Sequence, residues 1–432
     1  MKITMSLKLS KRDKQLLDGH GGQGAQMAMR ILVRMAEVQE AEELMDVHQA
    51  HIDGCGLLSE SSLEFAETLA AKGARVSIPT TLNMVPLDLQ NWREFGINED
   101  FAAKAERQAT AYTDMRCIPT WTCAPYQGYL TPRFGQQIAW GESNAICYAN
   151  SVLGARTNRY GDYIDICAAI TGRVPLCGLH LRENRRGQFL FRLLDIPPMI
   201  MQSNAFYVVL GHLLGCRTAD KIPVIEGLPT DASSDQLKAM CAAAASSGAV
   251  ALFHAIGVTP EANTLEEAFH GGRPERVIDI HLSDLQQSRS ELSTAREGAK
   301  LDLVILGCPH FSFDEFRDLA TLVQTEIEKG RSLHPDVRFV VLSCQTSYAL
   351  QQRSDYLKVL TDFGIQITLD TCVFHTPMVS QNTKVLMTNS GKCAYYAPGE
   401  LGVQVAFGDM AECVASAVGG VVCRKESAWN ES

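Results

Sequence analysis

A chain of 432 residues, 46% hydrophobic and 20% charged, is long enough for two or three domains around large buried cores. Its 39 basic and 49 acidic side chains leave a formal charge of −10, and no basic block carries interleaved aromatics, which excludes a nucleic-acid partner. The N-terminus (Met1 to Lys11) has no apolar stretch of signal-peptide length and no run approaches a membrane span. A cytoplasmic protein with reduced thiols and no membrane partner is expected.

In chain order, the spacing predicts a helix over 10–46 with an apolar face of Met27, Met29, Ile31, Leu32, Met35 and Val38. A second helix is expected over 61–72, capped among Ser59–Ser62 and stopped by Gly73. Residues 74–78 are β-like and run into Thr80-Thr81-Leu82-Asn83. The stretch 100–220 is irregular and polar, including the series from Gly141-Glu142-Ser143-Asn144 to Gly161-Asp162, and such segments often line sites. Beyond it, strands are expected over 221–225, 249–253, 301–306, 337–342, 365–369, 384–387 and 402–406. Helices are expected over 234–246, 313–329 and 347–363. Short apolar strands alternating with helices define an α/β class with mostly parallel sheets flanked by helices. Two regions follow: an N-terminal α/β region, 1–220, holding the polar segment, and a βαβ-repeating region, 221–432.

In parallel sheets, ligands gather beyond the carboxyl ends of the strands. Cys308, Ser343-Cys344, Cys372 and Ser390-Gly391-Lys392 occupy that position. Of the fourteen cysteines, Cys123, Cys308 and Cys372 stand apart because polar residues or proline surround each. Their wide separation rules out a zinc ribbon but suits a metal centre with an open position; buried packing is the alternative, since thiols are commonly buried. His310 is a fourth ligand, a neighbouring group, a base or a structural histidine. The string Gly19-His20-Gly21-Gly22-Gln23-Gly24 matches a dinucleotide fingerprint only literally, because no strand precedes it; a turn between helices is expected. The cluster Arg182–Arg186 reads as a solvated face.

With these residues in view, the chain resembles the aconitase X family, large-subunit type, over nearly its full length. The resemblance rests on the block Gly141 to Arg159, on Thr80–Asn83, and on Gly307-Cys308-Pro309-His310, Asp370-Thr371-Cys372 and Ser390-Gly391-Lys392. It implies an aconitase-like multi-layer fold and an iron–sulfur cluster on Cys123, Cys308 and Cys372. It also implies substrate contacts at Gly54, Cys55, Gly56, Asn83, Met84, Glu142, Ser143 and Lys392, with Lys392 and Glu142 in catalytic roles. Family members dehydrate cis-3-hydroxy-L-proline or 5-phosphomevalonate. The second type looks to carry Gly-Val-Ser and Thr-Thr-Leu-Asn-Pro where this chain has Gly54-Cys55-Gly56 and Thr80 to Met84, which favours the hydroxyproline-type activity. The family further implies a domain of about 130–150 residues that swivels and supplies a serine base, expected here as a separate small subunit. A mononuclear zinc hydrolase with three cysteine ligands and a non-catalytic binding protein are the alternatives from other classes.

Overall fold

Ser10 and Asp13 cap one another reciprocally and start α1 (Lys11–Leu17) in the computed structural model, which describes residues 7–424 and Trp429. The glycine string then turns the chain, with Gly19 and Gly22 at φ +90° and +89°, into α2 (Gly22–Val38). The turn expected between two helices at the glycine string is present, and the helical segment expected over 10–46 ends early, giving way to β1 (Leu44–Asp46). Gly24 is required by packing rather than by a cofactor, since a Cβ there would lie 2.6 Å from that of Ala74. On α2, Met29 and Leu32 are buried as expected, while Val38, its last residue, is 80% exposed.

Tertiary contacts divide the chain into two units, Met1–Arg186 and Gly187–Ser432. The division falls well before residue 220 because Phe189–Leu193, within the segment read as irregular, is a central strand of the next sheet.

The first unit continues through β2 (Ala50–Ile52), α3 (Glu60–Ala71), β3 (Thr80–Leu82), α4 (Glu99–Asp114) and β4 (Ala139–Trp140). It ends with α5 (Ser143–Ser151), α6 (Ile164–Thr171) and β5 (Arg173–Pro175). Strands β3-β2-β4 form a parallel sheet, pairing Ile52 with Leu82 and His51 with Trp140, while β1 and β5 pair antiparallel. Residues 74–78 form no strand; Val76 and Ser77 donate instead to the carbonyls of Met115 and Ala169. The core joins Ala28, Leu32, Ile52, Leu69, Leu82, Ile166 and Val174. Arg185 overturns the expected solvated face. It is fully buried and donates to Asn150 Oδ1 and O at 3.0 Å, which locks the loop after α5.

In the second unit β6 (Phe189–Leu193), α7 (Pro198–Met201), α8 (Asn204–Thr218), β7 (Pro223–Glu226), α9 (Ser234–Ser247), β8 (His254–Ala255), α10 (Leu265–Ala268) and β9 (Arg276–Ile280) build a parallel sheet in the order β8-β7-β6-β9. The strand expected over 249–253 lies later, at β8, where Ala255 pairs with Ile225. After α11 (Leu282–Glu291) come β10 (Leu303–Leu306), α12 (Phe313–Glu328), β11 (Arg338–Ser343), α13 (Gln345–Gln351), α14 (Tyr356–Asp362), β12 (Gln366–Leu369), β13 (Val385–Thr388), α15 (Gly391–Glu400), β14 (Gln404–Phe407) and α16 (Met410–Gly419). Their strands form a second parallel sheet, β12-β11-β10-β13-β14. The helix expected over 347–363 is broken into α13 and α14. Apolar strands such as Leu303–Leu306, buried at every position, are covered on both faces. Among the described residues no helix is long and apolar enough to cross a membrane.

A buried ion pair ties the start of the first unit to its end. Asp13 is wholly buried and receives Arg173 Nε at 2.9 Å and Nη2 at 3.2 Å, while Arg173 also donates to the Leu44 carbonyl at 2.6 Å. Replacing Arg173 by Leu strands the Asp13 carboxylate, and a stability loss of about 3–5 kcal/mol is expected by equilibrium unfolding. The double variant Asp13→Asn/Arg173→Leu recovers part of it; a single variant as stable as wild type contradicts the role assigned to the pair.

Candidate active site

The three parallel strands of the first unit release the chain at one edge, and the predicted substrate residues lie there. Gly54, Cys55 and Gly56 follow β2, Asn83 and Met84 follow β3, and Glu142 and Ser143 follow β4. Asn83 is fully buried and bridges two of these loops: its Nδ2 donates to Glu142 Oε2 at 3.0 Å and to Asp53 Oδ1. Glu142 is also the N-cap of α5, where its Oε1 accepts from the Asn144 backbone at 3.1 Å, the Asn144 side chain at 2.8 Å and the Ser143 hydroxyl at 3.2 Å. Gly141 is obligatory in this fit, since a Cβ would stand 2.7 Å from both Asp165 Oδ2 and Asp53 Cβ.

The loop after β2 is held from behind. The Gly54 carbonyl accepts from Tyr112 Oη at 2.8 Å and Gln108 Nε2 at 3.1 Å, and Gln108 reaches the Gly56 carbonyl at 2.8 Å. Cys55 turns inward, its thiol 3.4 Å from the carbonyls of Ile52 and Met84, and burial pushes that thiol well above its ordinary range. Its contribution to an exposed site is therefore confined to its backbone.

Asp165, which the sequence reading missed, anchors the same loop. Its Oδ2 accepts from the Asp53 amide at 2.6 Å and more distantly from Gly54, and its Oδ1 from Ile166 at 2.6 Å. Burial pushes its carboxyl up to about 7 despite those three donors. A carboxylate inside the apolar run Ile164–Thr171 was the available signal. Asp53 and Asp162 were missed as well; burial, then the charge of Glu142, raises Asp162. Behind this edge His51 donates or accepts across 2.8 Å with Thr81 Oγ1 and is pushed down to about 3 by burial, against the pull of Glu142. It is a neutral structural histidine.

Cys123 belongs to this unit. Its loop runs beside β3, where the Thr122 amide donates to the Leu82 carbonyl at 3.2 Å and Thr120 Oγ1 accepts from Leu82 at 3.0 Å. The thiol thus follows a segment laid along the strand that delivers Asn83, and it is partly exposed.

In the second unit Cys308, Cys372 and Lys392 follow β10, β12 and β13, as the strand pattern predicted. Their loops are knitted together. His310 Nε2 lies 2.8 Å from the Thr371 carbonyl, which binds the Cys308 loop to the Cys372 loop, so this histidine is structural. Ser390 caps α15, accepting from Cys393 at 3.0 Å, and its hydroxyl donates to the Cys308 carbonyl. Lys392 therefore sits in the first turn of a helix fastened to the Cys308 loop. From behind, wholly buried Lys238 donates to the His310 carbonyl at 3.3 Å while paired with Glu315 at 2.5 Å and Asp235 at 2.9 Å. Burial opposes its charge, but the two carboxylates overcome that and keep it protonated. None of the fourteen cysteines is in a disulfide. The thiols of Cys308 and Cys372, on tied loops at strand ends, are soft donors of the kind that hold an iron–sulfur cluster, while among the described residues no three His, Cys, Asp or Glu side chains group closely enough to hold a metal ion.

An α/β protein whose polar loops collect at the carboxyl ends of parallel strands, with thiols, an amide, carboxylates and a lysine among them, has the layout of an enzyme. Family models for the first, second and third domains of aconitase X match residues 6–183, 187–290 and 301–419, and the chain belongs to that family. A cis-3-hydroxy-L-proline dehydratase of Pseudomonas aeruginosa is 44% identical over 416 residues, 96% of this chain and 70% of that protein. One from Hypocrea jecorina is 42% identical, covering 97% of this chain and 70% of its own length. A phosphomevalonate dehydratase large subunit of Methanothermobacter thermautotrophicus is 36% identical, covering 93% and 96%. The fold matches the crystal structure of Thermococcus kodakaraensis aconitase X in its holo-form with a TM-score of 0.85 and 29% identity, over 95% of this chain and 100% of that one.

Two stability measurements check these supports. Asp165 titrates near 3.8 when unfolded and near 7 when folded, so the native state holds an extra proton between those values. Its contribution is present below the unfolded value and is lost as pH rises through the folded one. Wild type is expected to lose stability relative to Asp165→Asn from about pH 4 to about pH 7, by on the order of 4 kcal/mol at most. A difference that stays flat with pH contradicts the assignment. Lys238→Met leaves two half-buried carboxylates facing one another, and equilibrium unfolding should register a loss of up to about 3–5 kcal/mol.

Proposed function

We propose that the chain is the large subunit of an iron–sulfur-dependent hydro-lyase that converts cis-3-hydroxy-L-proline to Δ1-pyrroline-2-carboxylate. The observation that carries this reading is the 44% and 42% identity to two cis-3-hydroxy-L-proline dehydratases across nearly the whole chain, against 36% to the phosphomevalonate enzyme. Gly56 and Met84 support it, because the phosphate-handling type looks to carry serine and proline there. The relatives named as large subunits support a small-subunit partner, which brings the swivelling domain and a serine base.

Dehydration breaks the C2–H bond and the C3–O bond and places the electron pair between C2 and C3. The difficulty is twofold: the α-proton is only weakly acidic, and hydroxide is a poor leaving group. An iron–sulfur cluster on Cys123, Cys308 and Cys372 supplies, when bound, Lewis acidity toward the departing hydroxyl, worth several kcal/mol. Glu142, when protonated, gives its proton to the departing oxygen, or as a carboxylate orients it, from the position in which Asn83 and Asn144 hold it. Asn83 hydrogen-bonds the substrate, and the Gly54–Gly56 and Ser143 backbones frame it. Lys392 clamps the carboxylate and the negative charge that builds toward it as the proton leaves. The partner's serine removes the α-proton. The resulting enamine takes a proton at C3, gives up its N–H proton and becomes the cyclic imine acid.

Anaerobic co-expression with the small subunit, followed by assays on both substrates, tests the reading. Turnover of cis-3-hydroxy-L-proline to the imine acid is expected, and turnover of mevalonate 5-phosphate alone overturns it in favour of the second family activity. In the same preparation Cys308→Ala should lose the visible iron–sulfur absorption and the activity while keeping its far-UV spectrum. An unchanged visible spectrum, or zinc without acid-labile sulfide, removes the ligand assignment.

A further inference from the structure

Behind the Cys308 loop lies a cavity of about 30 Å³, lined by Lys238, Cys308, Pro309, Glu315, Asn389 and Ser390 among others. That is room for a water molecule, so close packing does not hold the loop from this side. Hydrogen bonds hold it instead. The Cys308 carbonyl accepts from Ser390, the Phe311 carbonyl from Ser343 at 3.2 Å and Ser347 at 3.1 Å, and the His310 carbonyl from Lys238 at 3.3 Å. Of these four donors only the lysine is charged, and it acts on two loops at once. His310, whose carbonyl it holds, donates from Nε2 to the Thr371 carbonyl at 2.8 Å, one residue before Cys372.

An ammonium has three N–H donors, and Lys238 places all three: on Glu315 Oε2 at 2.5 Å, on Asp235 Oδ1 at 2.9 Å and on the His310 carbonyl. The two carboxylates are themselves fixed, because Ser312 donates its amide to Glu315 at 2.8 Å and its hydroxyl to Asp235 at 2.7 Å. They therefore aim the third N–H at the loop. A buried ion pair adds little stability over a well-packed apolar side chain of the same size, so what the lysine contributes here is direction. We propose that Lys238 is a positioning residue of the iron–sulfur site: through His310 its ammonium holds the Cys308 and Cys372 loops against one another, so that both thiols stay available to one cluster. The inference rests on the iron–sulfur reading and deepens it, since cluster retention then depends on a side chain that is not a ligand.

Two measurements test this, and one of them needs no metal. Hydrogen exchange read by mass spectrometry on the large subunit compares the amides of residues 307–312 with those of β10. Lys238→Met is expected to speed exchange in 307–312 at least about tenfold while β10 stays protected, as loss of a hydrogen bond from a charged donor predicts. The triple variant Lys238→Met/Asp235→Asn/Glu315→Gln no longer strands two carboxylates and should recover stability, yet its loop should exchange as fast. The double variant Asp235→Asn/Glu315→Gln keeps the lysine donor and should exchange more slowly than the triple. In the reconstituted two-subunit enzyme, a ferrous-iron chelator should strip iron from the triple variant at least about tenfold faster than from wild type. Wild-type protection of 307–312 in the folded triple variant overturns the inference, and so does iron release at the wild-type rate. The triple variant decides alone if Lys238→Met does not fold. A wild type that takes up no iron removes the iron–sulfur reading only, and hydrogen exchange then decides whether Lys238 holds the loop.

Discussion

Parallel pairing is the constraint on which this protein depends. A strand hydrogen-bonded in parallel to both neighbours points the same way as they do, so every loop leaving such a sheet at its carboxyl end emerges at one edge. In the first unit that edge collects Asp53–Gly56, Asn83–Met84 and Glu142–Ser143 from sequence positions some ninety residues apart. In the second it collects Cys308, Cys372 and Lys392. Short strands suffice, because the sheets carry no function beyond aiming those loops.

Loops at such an edge have no ladder to hold them, and the structure replaces it with buried polar fastenings. Asp165 takes the amides of Asp53, Gly54 and Ile166; Tyr112 and Gln108 take the carbonyls on the other side of the same loop. Lys238, His310 and Ser390 serve the second unit in the same way. Each fastening places a charged or polar group where burial is costly, and its hydrogen bonds offset that cost. The offset is incomplete at Gln108 Oε1 and Asn83 Oδ1, which are buried without a hydrogen-bond partner among the described residues.

The polar fastenings also separate structural from chemical roles among residues of one type. His51 is wholly buried and held neutral by that burial, and His310 is bonded to the Thr371 carbonyl, so both are structural. Cys55 is spent on the core, whereas Cys123 and Cys372 remain partly exposed. Arg185, one of three arginines in the 182–186 cluster read as a solvated face, is consumed in fixing the loop beyond α5.

Periodicity and strand-end position in the sequence alone determined the α/β class, most of the second unit's strands and helices, and the loops that carry Cys308, Cys372 and Lys392, whereas Asn83 and Glu142 entered only through the family resemblance. These features are local: an apolar run of strand length followed by polar residues declares both a buried strand and the loop beyond it. Only the tertiary structure decided that residues 189–193 lie inside a sheet, that an expected helix breaks between α13 and α14, and that Asp13 belongs with Arg173. It alone brought Asp53, Asp162 and Asp165 to the same strand edge as Asn83 and Glu142. Those relations join residues 30 to 160 positions apart, and no local pattern encodes which distant carboxylate will be buried against which backbone amide. The reason is physical: a pKa, an unsatisfied oxygen or an uncompensated charge is a property of surroundings, and surroundings exist only once the chain has folded.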